Sequence, residues 1–164
     1  MCYTLNMNYE RQILHWVNRL GFLTRKEIVA RFGAAGFEVS PEEWALLLLL
    51  NEGGAKAPSE IAEVTSKDRT TVTRLVDGMV RKGLVNRIPN ESDRRRMVIE
   101  LSASGHGLFA KLAPIAKGLI GDAMGGISDD DAQITLAVLK RMTSSLQGAD
   151  LSSSSKKEPQ DAKL

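Results

Sequence analysis

Between Ser66 and Leu101 the chain reads SKDRTTVTRLVDGMVRKGLVNRIPNESDRRRMVIEL, and this stretch limits the fold more tightly than any other. Asp68 is a good helix cap, and Val72, Leu75, Val76, Met79 and Val80 recur behind it at helical spacing. The pattern predicts a helix running to Lys82, with Gly83 supplying the left-handed residue that lets the chain leave it. Two strands are predicted next, about Leu84 to Ile88 and Arg96 to Leu101. The second sets Met97, Ile99 and Leu101 against Arg96, Val98 and Glu100, as in a hairpin with one covered face. The segment Pro89-Asn90-Glu91-Ser92-Asp93 is turn chemistry, and Arg94, Arg95 and Arg96 emerge from it. A short helix with threonine and arginine on its open face, followed at once by a basic hairpin, is a winged helix-turn-helix. It offers two ways to hold a duplex: side chains on base edges, and charge against phosphate or in the minor groove.

Helices are predicted on both sides of this unit. From Asn8 to Phe32, Tyr9, Ile13, Trp16, Val17, Leu20, Ile28 and Phe32 fall at helical spacing, which predicts one helix, loosened at Gly21 and ended by Gly33 and Gly36. Ser40, Pro41 and Glu43 make a capping box for a second helix holding Trp44 to Leu50 and stopping before Gly53 and Gly54. Pro58 opens a third, short helix to about Val64, with Ile61 and Ala62 inward. Ser102 can cap a fifth, with Leu108, Phe109, Leu112, Ile115, Leu119 and Ile120 as its stripe. Pro114 should kink it, and Gly125 and Gly126 end it. Ser128 followed by Asp129, Asp130 and Asp131 starts a sixth, since acids suit the positive end of a helix dipole. Ile134, Val138, Met142 and Leu146 continue it; from Ala149 on the chain is polar, low in complexity and expected to be disordered.

The fold class is therefore mainly α with a small β-hairpin wing, a winged helix-turn-helix flanked by N- and C-terminal dimerisation helices. The expected division is an N-terminal dimerisation helix over 1–36, the DNA-binding unit over 37–101, C-terminal dimerisation helices over 102–148, and a tail over 149–164. The first and last helices carry apolar stripes that a monomer would leave wet, and a two-fold pairing with a second copy would cover them.

Charge supports the same reading. Ser66 to Met97 holds nine basic and four acidic residues, a balance of +5 in a chain whose net charge is +2, so the remainder carries −3. Positive charge gathered on one element is what a phosphate binder needs. No apolar run approaches the roughly 20 residues that cross a bilayer, and no basic and apolar leader opens the chain. One cysteine, Cys2, excludes an intramolecular disulfide and a multi-cysteine zinc site, and a cytoplasmic location is expected. His15 and His106 lie in separate helices, with no nucleophile–base pair, metal cluster or glycine-rich phosphate loop. The expectation is a protein that is not an enzyme and needs neither cofactor nor metal.

On the fourth helix Thr70, Thr73, Arg74, Asp77 and Arg81 fall together, opposite the apolar stripe. Threonine suits base edges and phosphates alike, and Arg74 can make two hydrogen bonds to guanine. Arg69 and Thr71 lie in the first turn, where a helix N-terminus attracts phosphate. An arginine at a hairpin tip suits a narrow minor groove. Asp77 and Asp93 are expected to hold neighbouring arginines in place.

The spacing TVTRLVDGMVRKGLV, then Asp93-Arg94-Arg95, then VIELSASG, resembles the MarR family of transcriptional regulators. The family's wing has Asp, any residue, Arg, then a strand ending Leu-Thr/Ser and a glycine three residues on; Asp93, Arg95, Leu101, Ser102 and Gly105 fill those places. The resemblance follows the helix order over about 8–147, with its specific motifs in 59–105. It implies an obligate homodimer reading a near-palindrome, with the fourth helix in the major groove and Arg95 in the minor groove. The DNA-binding set it implies is Ser59, Lys67, Arg69, Thr70, Thr71, Thr73, Arg74, Arg94 and Arg95. Most members are repressors released by a small, often phenolic or anionic, effector bound between the dimer and DNA-binding regions; His15, Trp16 and Trp44 are the candidates to contact it. Three departures stand out. Ser66 and Lys67 occupy places where the family has apolar residues and a glycine, Ala57 is a poor cap before Pro58, and Val17 lies where peroxide sensors carry a cysteine. The alternatives are a winged helix used for protein contact and a redox-responsive regulator.

Overall fold

The computed structural model describes residues 9–90 and 92–154. A turn of 3-10 helix, Tyr9–Arg11, precedes α1 (Ile13–Ala34), α2 (Pro41–Gly53), α3 (Pro58–Thr65), α4 (Arg69–Arg81), the strands β1 (Val85–Pro89) and β2 (Met97–Leu101), α5 (Ala103–Met124) and α6 (Asp129–Ser154). There are two compact units, one ending at Ala123 and the other beginning at Met124. The first unit thus joins α1 and most of α5 to the winged part, across the boundaries expected after residues 36 and 101.

Two helix ends differ from expectation. The chain breaks at Gln12, and α1 then runs unbroken through Gly21. A single helical glycine costs about 1 kcal/mol, which a helix of this length absorbs. α6 reaches Ser154, beyond the tail boundary expected at Ala149, because extending a formed helix is cheap compared with starting one. The rest of the expected tail, residues 155–164, and Cys2 lie outside the described residues.

Phe32 of α1, Leu46 and Leu47 of α2, Ile61 of α3, Met79 of α4, Ile99 of β2 and Leu112 of α5 are all fully buried in one core. Each of α1 to α5 sends residues into this core, so the position of α4 is set from several sides. The strands pair antiparallel with Val85 opposite Leu101 and Arg87 opposite Ile99. Lys56 forms a further bridge on the free edge of β2: its N–H donates to Ile99 O (2.9 Å) and Ile99 N–H donates to Lys56 O (2.8 Å). β2 is therefore an inner strand. Simple alternation fails there: Val98 is buried beside Ile99 and Leu101, while Met97 is exposed.

α2 starts as its residues require. Ser40 Oγ accepts from Glu43 N–H (3.1 Å) and Glu43 Oε2 accepts from Ser40 N–H (3.0 Å), with Pro41 in the first turn. The other carboxylate oxygen of Glu43 accepts from Lys82 Nζ at 2.6 Å, joining the start of α2 to the end of α4. Burial pushes the Glu43 carboxyl up, but the bonds from Lys82 and Ser40 outweigh it and hold the group below its ordinary value. Its contribution is therefore complete above the usual carboxylate range and disappears as pH falls through the lowered folded value. Glu43→Gln keeps the box, which accepts glutamine, and removes only the charge. It should cost about 1 kcal/mol at neutral pH in urea unfolding, and the gap to wild type should narrow as pH falls below about 4. A gap that does not narrow as pH falls below the usual carboxylate range would remove Glu43 from the acid response.

Much apolar surface remains uncovered in each unit. On α1, Leu14 (61% exposed), Trp16 (51%), Leu20 (59%) and Phe22 (67%) lie open, and its buried residues are Ile28 and Phe32. On α6, Ile134 (63%) and Leu146 (66%) do the same.

Candidate nucleic-acid interface

The turn between α3 and α4 decides how α4 is presented. Ala57 cannot cap α3 with its side chain; instead Glu60 Oε2 accepts from Ala57 N–H (2.6 Å), which supplies half of a capping box. Ser66 takes the left-handed conformation at φ 51°, in the place where a glycine would be unstrained, and Lys67 N–H donates back to Ala62 O (3.0 Å). Asp68 then caps α4, its carboxylate accepting from Thr71 N–H (2.9 Å) and Thr71 Oγ1 (2.6 Å). These bonds, the hydroxyl first, hold the Asp68 carboxyl below its ordinary value.

The predicted residues of α4 separate into two groups. Thr71 spends its hydroxyl proton on Asp68, and Thr73 Oγ1 donates to Arg69 O (2.8 Å). Each keeps oxygen lone pairs, so each can still accept. Arg69, Thr70 and Arg74 are exposed, and among the described residues no hydrogen bond or ion pair holds their side chains. Ser59 is exposed at the start of α3. Lys67 is not grouped with them: its side chain is 29% exposed and its Nζ lies 4.0 Å from Glu42 Oε1.

The wing is built by its acids and its asparagine. Asn90 Oδ1 accepts from Ser92 N–H (2.9 Å), Ser92 Oγ (2.6 Å) and Asp93 N–H (3.2 Å). Asp93 Oδ1 accepts from Arg95 N–H (3.1 Å), and Arg96 N–H donates to Asp93 O (2.9 Å). Asn90 N–H closes the loop on Arg96 O (2.8 Å). Asp93 thus shapes the backbone that carries Arg95, while the side chains of Arg94 and Arg95 stay exposed. Asp77 of α4 pairs with Arg87 of β1 and ties the wing to the helix. Sequence reasoning expected these carboxylates to organise arginines; it missed the role of Asn90, although an Asn two residues before Ser is a recognisable turn signal.

A second device fixes the wing at its base. Ser102 N–H donates to Leu84 O (3.0 Å), and Ser102 Oγ donates to Gly83 O (2.6 Å) while accepting from Gly105 N–H (3.0 Å). Gly105 packs so close that an added Cβ would lie 2.1 Å from Leu84 O. The Leu-Ser-x-x-Gly spacing therefore clamps the start of α5 onto the link between α4 and β1.

Behind the interface a cleft of about 400 Å³ opens among α1, α2, the α3–α4 turn and α5. Its apolar lining includes Ile28, Trp44, Leu49, Val64 and Leu119, and its charged lining is Arg25, Glu42 and Lys67. Trp44 stacks on Phe109 (5.5 Å, 10°) and meets Phe32 edge to face (5.4 Å, 70°). Of the three candidates for effector contact, the structure brings only Trp44 to this cleft. His15 and Trp16 lie near the start of α1, where the Trp16 indole N–H donates to Glu10 O (2.9 Å) and the two rings meet edge to face at 5.7 Å. Arg25 and Glu42 were missed, because nothing in their spacing reveals that two helices bring them together.

This is a helix-turn-helix of α3 and α4 with a β1–β2 wing. Residues 39–97 match the family model described as MarR family. The transcriptional repressor NicR of Pseudomonas putida is 26% identical over 107 residues, covering 65% of this chain and 68% of NicR. The match to the repressor YetL of Bacillus subtilis spans 64% of that protein, so part of each relative lies outside the alignment. A mutant MarR from Escherichia coli, solved in complex with operator DNA, superposes with a TM-score of 0.71 at 18% identity over 85% of this chain and 99% of that one. BpsR of Bordetella bronchiseptica, whose DNA binding is regulated by 6-hydroxynicotinic acid, superposes at 0.66 and 19% identity over 87% and 98%. Over these residues the chain is similar to the MarR family of regulators.

Proposed function

We propose that this chain is a sequence-specific, double-stranded-DNA-binding transcriptional regulator, acting in the cytoplasm as a homodimeric repressor that a small phenolic or anionic ligand releases. One observation carries the reading: among the described residues, the aspartates of α4 and the wing are consumed internally, while four arginines stay open. Asp68 caps α4, Asp77 holds Arg87 and Asp93 holds the wing turn. Arg69, Arg74, Arg94 and Arg95 are left to meet phosphates and bases. Thr70, Thr73 and Ser59 add neutral polar contacts, and Thr71 adds an acceptor.

Residues 37–101 supply the DNA-binding unit in this reading, and the open stripes of α1 and α6 supply the dimer contact. Two lobes then address half-sites about 34–36 Å apart on one face of the duplex. The relative crystallised on operator DNA and the one regulated by 6-hydroxynicotinic acid support both halves of the proposal. The cleft at Trp44 is the effector site it calls for.

A duplex selected from a random pool provides the test. Arg95→Ala should weaken binding several-fold and lower the salt slope by about one. Arg74→Ala should relax discrimination at one base pair, by about 1–3 kcal/mol, with less effect on unrelated sequences. Wild-type affinity and slope for Arg95→Ala would remove the wing from the interface. Equal losses on all sequences would make Arg74 a phosphate contact.

A further inference from the structure

Resting on the reading of this chain as a DNA-binding regulator, we infer that Pro89 and Met97 make an apolar contact with deoxyribose on the strand between the two grooves, and that this contact selects DNA over ribose-containing duplexes. Met97 is 43% exposed, and Pro89, its partner across the hairpin, is exposed too. Side chains alternate along a strand, so Met97 shares a face with Ile99 and Leu101, and Pro89 shares it with Arg87 and Val85. Val85, Ile99 and Leu101 belong to the core. Arg87 meets Asp77 on the open face of α4. Two residues further out, about 7 Å along the strand, the same face presents the Pro89–Met97 pair. Beyond it stand Arg94, Arg95 and Arg96, all exposed. An apolar pair therefore sits between the helix that faces the bases and the cationic tip of the wing.

What the pair meets follows from the shape of a duplex. With α4 in the major groove and the wing tip in the minor groove, the span between them crosses one sugar-phosphate strand. That strand offers two kinds of surface, anionic phosphate oxygens and the C–H faces of its sugars. A phosphate calls for donors. Pro89 has no N–H, the Asn90 N–H is taken by Arg96 O, and a thioether donates nothing. The sugar face is what this pair can bury, while the arginines beside it take phosphate. A 2′-hydroxyl on that sugar would lose its water against a side chain with only a weak acceptor to offer.

The full chain should be titrated with the selected duplex by fluorescence anisotropy across a salt series. Met97→Gln keeps the length of the side chain and adds polarity at an exposed site, so its urea midpoint should match wild type. It should weaken duplex binding about five- to tenfold at every salt concentration, with the slope unchanged, because an apolar contact releases no counterions. Met97→Leu should stay within about twofold of wild type. Single ribonucleotides walked through each half-site should find one sugar, or two neighbours, at which wild type loses about fivefold and Met97→Gln loses nothing further. Wild-type affinity for Met97→Gln overturns the proposal. So does a lowered slope, which would mean that the wing arginines had shifted, and so does a ribose penalty that is the same in both proteins at every position. Arg95→Ala tells this failure from a broader one. If Arg95→Ala weakens binding and Met97→Gln does not, the DNA-binding reading stands without the sugar contact; if wild type binds no duplex, both fall.

Discussion

Gly105→Ala should cost about 3 kcal/mol or more and leave little folded protein at 37 °C. The new methyl would lie 2.1 Å from Leu84 O, with Leu101 Cδ2 at 3.3 Å on its other side. The first of these is backbone, held by the Ser102 N–H bond, so it cannot turn away as a side chain would. Relief requires α5 to lift from the α4–β1 link, which breaks the Ser102 clamp and frees the base of the wing. Gly107 is the control in the same helix: no atom lies within 4 Å of its added Cβ, so Gly107→Ala should stabilise by up to about 1 kcal/mol. Urea unfolding of the pair decides the matter. Equal midpoints would mean that the close approach at Gly105 has no energetic weight.

Leu20→Glu should convert the proposed dimer to monomer at micromolar concentration and weaken binding to the selected duplex by about a hundredfold or more. The duplex loss follows because two linked half-site contacts become one, and linkage supplies 10² to 10⁴ in apparent affinity. Leu20 is 59% exposed within one chain, so the fold of the first unit should survive the charge. Sedimentation velocity and anisotropy on the selected duplex read the two effects separately. A variant that stays dimeric with unchanged affinity would move the contact off this stripe of α1.

The contrast between these two sites shows what kind of information a linear pattern holds. Leu20 is conspicuous in sequence, because its stripe repeats at helical spacing. Gly105 is legible only as part of the resemblance that Leu101, Ser102 and Gly105 carry; the reason for it, a backbone approach to Leu84, is invisible until α5 docks. Lys67 reads as a basic residue in the turn before a DNA-facing helix. Packing turns it toward Glu42, 4.0 Å away, and into the lining of the cleft. Val98 reads as a solvent-facing strand residue, and the Lys56 bridge beyond β2 makes that strand an inner one.

The sequence by itself determined the order of the helices, their caps at Ser40, Asp68, Ser102 and Ser128, the turn at Gly83 and the basic hairpin. Each of these depends on residues within a few positions of one another, and local bonds suffice to specify them. Only the tertiary structure decided which cations remain open, which are held by Glu42 or Asp77, and that Trp44 rather than His15 or Trp16 lines the cleft. Those outcomes depend on pairs such as Arg25 with Glu42 and Glu43 with Lys82, whose separation along the chain is set by intervening helices. No spacing rule connects them; their distance is fixed only when the shared core closes.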